Sequence, residues 1–246
     1  MSIRDFPCLI FDFFDTIAFW DQQKIPKYSW RGKQVNSTNQ ETFKILKKVC
    51  PKLEFDEYQN AILTVSKKII SDRVTNQREI SSIARYTRIL QTLDVINRDS
   101  ITTFAELASR KHMEILKSAV SIPDKNIAFL NKLCTRHHLI LLSNFDDAKT
   151  LREILNEFKL NRIFQAVNVS EELGYRKPSF EAFSIALKQE KFSKSEMLFI
   201  GDSSEEDIKG ANTYGISSAW VCPKNYPIDT TANQPTFIIN EILNLT

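Results

Sequence analysis

The strongest constraint on the fold is an alternation of short apolar runs with helix-like segments from about residue 121 onward. The runs lie at residues 138–142, 166–170, 197–200, 218–222 and 237–239. Between them, apolar side chains recur at helical spacing, as in Phe180, Phe183 and Leu187. Strands that alternate with helices predict βαβ units and a parallel sheet.

One more apolar run, at residues 8–14, stands apart from the others near the start of the chain. From residue 20 to residue 120 the apolar spacing is helical, as in Tyr58, Ile62 and Val65, and no convincing strand is present. We therefore expect an α/β fold with a Rossmann-like parallel sheet core and an inserted all-helical domain. Residues 1–19 and 121–246 would form the core, and residues 20–120 the insert.

Charge and composition narrow the function classes. The net charge is +3 and the basic residues are spread along the chain, so we expect no nucleic-acid partner. No apolar run approaches the ~20 residues of a membrane span, so no membrane partner is expected. Arg4, Asp5 and Asp12 interrupt the segment where a signal peptide would need an unbroken apolar run. Four cysteines far apart indicate reduced thiols and a cytoplasmic location.

Polar side chains stand where three of the predicted strands end. Asp12 interrupts the first run, Ser143 and Asn144 follow the run at 138–142, and Asp202 follows the run at 197–200. Ligands of open α/β sheets bind at the carboxyl ends of the strands, so these side chains are expected to share one site. Asp207, five residues beyond Asp202, would bring a third acid to the same edge.

Three acids at one edge need compensating charge. Two carboxylates ~4 Å apart repel by roughly 4 kcal/mol at an effective dielectric constant of 20. One lysine and one divalent cation would bring the cluster near neutrality, and Mg²⁺ suits it because Mg²⁺ takes oxygen ligands and shares phosphate oxygens. Ser143, the backbone N–H of Asn144 and Lys177 would then hold a phosphoryl group.

The acids near this edge have different interpretations. Asp12 has no general base beside it in sequence, and a carboxylate needs none to act as a nucleophile. Glu205 and Glu206, in contrast, are interpreted as helix-start charges that interact favourably with the helix macrodipole.

Four segments in order, LIFDFFDTI, LILLSN, GYRKPSFEAF and LFIGDSSEEDIKGA, resemble the four motifs of the haloacid dehalogenase superfamily. The resemblance covers nearly the whole chain outside the helical insert, which is similar to the helical cap that this family carries between its first and second motifs. Any one motif is weakly specific, but four in order, each at a strand end or helix start, are strongly so.

The resemblance implies a role for each matching residue. Asp12 matches the nucleophile that forms an aspartyl-phosphate, and Lys177 matches the lysine that orients it and neutralises phosphate. Ser143 matches the phosphate-binding residue, with Asn144 and Thr16 placed in the same phosphate-binding set. Asp202 and Asp207 match the acids that hold magnesium, together with Asp12 and the backbone carbonyl of Phe14.

Phe14 departs from the family pattern, since the family's phosphatases carry a second Asp there as general acid and base. General acid catalysis contributes typically 10²–10⁴-fold. We therefore expect slow hydrolysis of alkyl phosphates and less loss for leaving groups that need no proton.

The sequence favours a magnesium-dependent phosphohydrolase that acts on a small phosphorylated metabolite. Two alternatives stay open: carbon–halogen or phosphonate hydrolysis, and a phosphate-ligand binding protein with vestigial catalysis. The phosphonate route needs a Schiff-base lysine, for which Lys24, Lys27 and Lys33 are candidates. We expect a monomer or a homodimer.

Overall fold

The computed structural model describes residues 3–94, 97–222 and 233–245 of the 246-residue chain. It divides into two compact units: Met1–Trp20 with Ser121–Thr246, and Asp21–Val120. We call these the core unit and the inserted unit. Among the described residues, no helix has both the length and the apolar character that a membrane crossing requires.

A six-stranded parallel sheet forms the centre of the core unit, in the order β10-β9-β8-β1-β6-β7. The strands are β1 (Cys8–Phe11), β6 (His138–Ser143), β7 (Ala166–Val169), β8 (Met197–Gly201), β9 (Ser217–Val221) and β10 (Phe237–Ile239). The short strands β2 (Phe19–Trp20) and β5 (Val120–Ser121) form a separate two-stranded sheet. The predicted α/β class with a parallel sheet is confirmed.

The helices of the core unit are α5 (Asp124–Leu133), α6 (Ala148–Glu157), α7 (Ser170–Leu173), α8 (Phe180–Ala186) and α9 (Lys209–Tyr214). A π-helical turn, Ser204–Ile208, directly precedes α9. All residues of β1 and β8 are buried, because neighbouring strands flank them and helices cover the sheet. Buried parallel strands are continuous apolar runs in the sequence, so the sequence pattern predicted the positions of these two strands.

The inserted unit has its own hydrophobic core. Its helices are α1 (Asn39–Lys47), α2 (Phe55–Asn76), α3 (Ser82–Leu93) and α4 (Arg98–Ala119). Buried apolar side chains from all four helices pack together, among them Leu46, Tyr58, Ile89 and Ala105. This unit therefore buries apolar surface without using the parallel sheet.

The expectation that this insert is all-helical was wrong for residues 27–36. Strands β3 (Lys27–Trp30) and β4 (Lys33–Asn36) pair antiparallel as a hairpin. Arg31 and Gly32 form its turn with φ of 49° and 74°, the positive values that a two-residue hairpin loop requires. The Trp30 indole donates a hydrogen bond to Asp56 at 2.7 Å, which fixes the hairpin on α2.

The packing face of α3 can be tested with two isoleucines. Ile89 is 1% exposed and Ile83 is 41% exposed. We expect Ile89→Ala to lower the free energy of unfolding by about 2–5 kcal/mol, because it leaves a cavity in the inserted core. Ile83→Ala, the matched control on the same helix, should cost less than about 1 kcal/mol. Urea unfolding followed by circular dichroism measures both, and equal losses would contradict this orientation of α3.

Candidate active site

The carboxyl end of β1 places Asp12 between two neighbouring strands. The backbone N–H of Asp12 donates to the carbonyl of Ile200 in β8 at 2.8 Å, which continues the sheet ladder one residue past the strand. Its carboxylate lies at the edge of the sheet and the residue is only 7% exposed. A buried acid at this position needs a partner, because an unpaired carboxylate loses its hydration.

That partner is the ammonium group of Lys177. Its Nζ lies 2.6 Å from Oδ1 of Asp12 and 2.7 Å from Oδ1 of Asp207, and the side chain is 1% exposed. Burial alone would lower the pKa of Lys177, but the two carboxylates outweigh burial and raise the pKa above its usual value. Lys177 is therefore a fixed positive charge between two acids.

Asp207 is held in place from two sides. The backbone N–H of Ser203 donates to its Oδ2 at 3.0 Å, and Lys177 binds its other oxygen. A Cβ atom at Gly201 would overlap the Asp207 carboxylate, so the close approach of the turn to the end of β8 depends on glycine there. Burial is the main cause that raises the pKa of Asp207 above its usual value, and Lys177 opposes it.

Asp202 and Thr16 complete the group. The Thr16 hydroxyl lies 3.3 Å from Oδ1 of Asp202 and 3.4 Å from Oδ2 of Asp12, in position to donate to either. Burial, followed by the charges of Asp207 and Asp15, raises the pKa of Asp202 to about 6. A cavity of about 790 Å³ is lined in part by Thr16, Asp202 and Trp220, so this side of the group faces open space.

The three carboxylates fit a divalent cation. Asp12, Asp202 and Asp207 each offer one oxygen, and these oxygens all lie within 4.8 Å of one another. One ammonium group faces three acids, so a dication would bring the group close to neutrality. An all-oxygen donor set at a site with access to solvent suits Mg²⁺, which keeps several of its waters.

Ser143 is the last residue of β6. The residue is fully buried, and its Oγ has no hydrogen bond among the described residues. Buried polar groups are nearly always paired, so an unpaired one at the carboxyl edge of a sheet favours a ligand contact. This agrees with the predicted role in phosphate binding, which stays a prediction.

The Asn144 side chain does not point toward a ligand. Its amide is bound to the main chain of Lys177 and to the carboxylate of Glu206, so only its backbone N–H is left for a phosphoryl group. Glu206 also binds Arg176 at 3.0 Å. Burial raises the pKa of Glu206, but Arg176 and Asn144 outweigh it and the pKa lies below the usual value.

The interpretation of Glu206 as a helix-start charge therefore did not predict its contacts with Asn144 and Arg176. Its partners Asn144 and Arg176 lie 62 and 30 residues away in sequence. Its neighbour Glu205 binds Lys209, four residues on, as a surface helix residue does. Nothing in the local sequence separates the two glutamates.

Phe14 is part of an aromatic cluster. Its ring stacks on Trp20, with centroids 4.5 Å apart and planes 13° apart, and it contacts Phe13 and Phe145 at 4.9 Å each. Phe14 offers no carboxylate at this position, and its side chain cannot ligate a metal. The contact of its backbone carbonyl with magnesium stays a prediction.

Comparison with known proteins found relatives of this chain in sequence and in structure. The sequence profile of the haloacid dehalogenase-like hydrolase family matches residues 35–221. YfnB of Bacillus subtilis (strain 168) is 27% identical over 140 residues, which are 56% of this chain and 59% of YfnB. The pyrimidine 5'-nucleotidase YjjG of Escherichia coli (strain K12) is 31% identical over 83 residues, 33% of this chain and 36% of YjjG. The matched segments thus span less than two thirds of either relative.

Solved structures show the same fold. A crystal structure of YfnB bound to magnesium aligns over 98% of this chain and 96% of that one, with a TM-score of 0.59 and 21% identity. A 2-haloacid dehalogenase from Pseudomonas syringae aligns over 96% of this chain and 94% of that one, with a TM-score of 0.70 and 18% identity. The family profile covers well over half of the sequence, and the chain belongs to the haloacid dehalogenase-like hydrolase family.

Proposed function

We propose that the chain is a magnesium-dependent phosphohydrolase that acts on a small phosphorylated metabolite through an aspartyl-phosphate at Asp12. The observation that carries the proposal is the Lys177 ammonium bound between Asp12 and Asp207, with Asp202 close enough to share a cation. The unpaired hydroxyl of Ser143 at the same edge supports it.

In the first step, a carboxylate oxygen of Asp12 attacks phosphorus and the ester P–O bond breaks. Lys177 binds Oδ1 of Asp12 and holds the carboxylate in one orientation. Ser143 and the N–H of Asn144 bind phosphoryl oxygens, while Lys177 offsets negative charge that develops there. Asp12, Asp202 and Asp207 would hold Mg²⁺, which would supply further stabilisation of that charge.

The leaving group departs with its electron pair and takes a proton from solvent, because Phe14 has none to give. Water then attacks phosphorus, the bond from Asp12 to phosphorus breaks, and inorganic phosphate is released. The second step also lacks a side chain at position 14 that removes a proton from water, so the phosphorylated form of Asp12 should accumulate.

The relatives support a small phosphorylated substrate, since YjjG is named a pyrimidine 5'-nucleotidase. A nucleoside hydroxyl is nevertheless a poor leaving group without an acid, so Phe14 argues against a direct transfer of that substrate. Carbon–halogen hydrolysis remains the second candidate because a halide leaves without a proton. The phosphonate route is disfavoured, since Lys24, Lys27 and Lys33 are all exposed.

Loss of the nucleophile is the first test. Asp12→Asn should abolish magnesium-dependent hydrolysis of p-nitrophenyl phosphate, because an amide does not attack phosphorus. Asp15→Asn is the comparison variant: it removes an acid three residues away, at a φ of 60° that Asn tolerates. Although the Asp15 charge acts on Asp202, this variant should keep magnesium-dependent hydrolysis. Release of p-nitrophenol measures both, and activity that persists in Asp12→Asn would exclude Asp12 as the nucleophile.

The effect of the missing acid can be isolated with two substitutions of Phe14. Phe14→Asp restores an acid, whereas Phe14→Asn removes the ring equally without adding one. We expect Phe14→Asp to hydrolyse ethyl phosphate roughly 10- to 100-fold faster than Phe14→Asn, and to differ little from it on p-nitrophenyl phosphate. Equal rates for ethyl phosphate would show that position 14 does not limit the reaction.

The raised pKa of Asp202 predicts how magnesium binding depends on pH. The folded carboxyl has a pKa of about 6 against its ordinary value of 3.8, so the folded state binds the proton more tightly. Without a cation, the free energy of unfolding should therefore fall as pH rises from about 4 to about 6. Because Mg²⁺ competes with that proton, it should raise Tm more at about pH 7.5 than at about pH 5.

Magnesium at 100 times its Kd stabilises a protein by about 2.7 kcal/mol, which is roughly 5–10 °C for a chain of this length. Differential scanning fluorimetry measures the shift. Gly201→Ala, whose added Cβ would overlap the Asp207 carboxylate, should lose this shift. A magnesium shift that is independent of pH and intact in Gly201→Ala would contradict this cation site.

A further inference from the structure

The Lys177 ammonium can lie between its two acids only if the main chain at Lys177 is held in place. One side chain holds it at two points: Oδ1 of Asn144 accepts from the N–H of Lys177 at 2.8 Å, and Nδ2 donates to its carbonyl at 3.0 Å. Asn144 directly follows β6, which pairs with β1. The amide therefore ties residue 177 to the strand next to the one that carries Asp12.

This contact works in only one orientation of the amide. A flipped Asn144 would place its NH₂ group against the N–H of Lys177 and its oxygen against the Lys177 carbonyl. A third contact reinforces this orientation, because Nδ2 also donates to Oε2 of Glu206 at 2.9 Å. A carboxylate only accepts hydrogen bonds, so Glu206 excludes the flipped amide.

Arg176 closes the arrangement into a ring. Its guanidinium binds the other oxygen of Glu206 at 3.0 Å, and Arg176 directly precedes Lys177 in the chain. Both oxygens of Glu206 are thus used, one toward Asn144 and one toward Arg176. We call these four residues, Arg176, Lys177, Asn144 and Glu206, the Lys177 ring.

The turn that carries Glu206 also carries Asp207. The Ser204–Ile208 turn therefore meets the 176–177 segment twice, once through the ammonium of Lys177 and once through the ring. We propose that Glu206 is a positioning residue, which sets the Lys177 ammonium between Asp12 and Asp207 by fixing the orientation of Asn144. The kinetic part of this proposal rests on the proposed phosphohydrolase activity.

Glu206→Gln tests the proposal with little change in size. Glutamine offers one acceptor oxygen and one donor NH₂ group, so either Asn144 or Arg176 then faces a donor. We expect kcat for p-nitrophenyl phosphate to fall roughly 10- to 100-fold while KM stays within about twofold. Glu205→Gln is the matched control, because Glu205 contacts Lys209 and Asn233 outside the ring, and its kcat should be unchanged.

A double-mutant cycle tests whether Glu206 acts through Asn144. In an Asn144→Ala background the amide is gone, so Glu206→Gln should cause no further loss of kcat. The same fold-loss in both backgrounds would mean that Glu206 acts independently of Asn144, and that result would overturn the proposal.

Hydrogen exchange of the Lys177 amide gives a readout that needs no turnover. In protein labelled with ¹⁵N-lysine, this amide should exchange about tenfold faster in Glu206→Gln than in wild type or Glu205→Gln, because its acceptor is no longer held. Unchanged exchange overturns the positioning role whatever the kinetics show. An inactive wild type would overturn the proposed function instead, and the exchange measurement alone would then decide the role of Glu206.

Discussion

The ammonium group of Lys177 determines how the carboxyl edge of the sheet is built. It is fully enclosed and binds Asp12 at the end of β1 and Asp207 in the turn after β8. Removal of one member of such a buried pair typically costs about 3–5 kcal/mol, because the remaining charge has lost its hydration. Each acid needs the cation, and the cation needs both acids. The end of β1, the 176–177 segment and the Ser204–Ile208 turn are therefore stable only in this mutual arrangement.

Without a ligand, the charged and polar groups of this site are not fully compensated. One ammonium faces three carboxylates, burial raises the pKa of Asp202 to about 6, and the Ser143 hydroxyl has no partner among the described residues. Each of these features costs folding free energy and favours a ligand that removes the cost. A dication beside the acids and phosphoryl oxygens beside Ser143 are the chemical groups that would satisfy them.

The strand ends were predictable from the sequence because buried parallel strands are continuous apolar runs and their carboxyl ends share one edge. The hairpin at residues 27–36 was missed because its strands are short and largely exposed, and only the Arg31-Gly32 turn marks them. The role of Glu206 was out of reach for a different reason. Its contacts join segments that are distant in sequence, and the orientation of an amide leaves no trace in residue spacing.

At position 14, a phenylalanine contributes aromatic packing energy but offers no acid for catalysis. Its ring contacts three aromatic neighbours, and each aromatic pair contributes about 0.5–1.5 kcal/mol beyond the burial of its area. If Asp12 transfers a phosphoryl group, the missing acid costs about 10²–10⁴ in rate, or about 3–5 kcal/mol of transition-state stabilisation. That cost applies in full to alkoxide leaving groups and nearly vanishes for leaving groups that are stable as anions. Under that mechanism, the cluster that stabilises the fold would also select substrates, through the acidity of the group that departs.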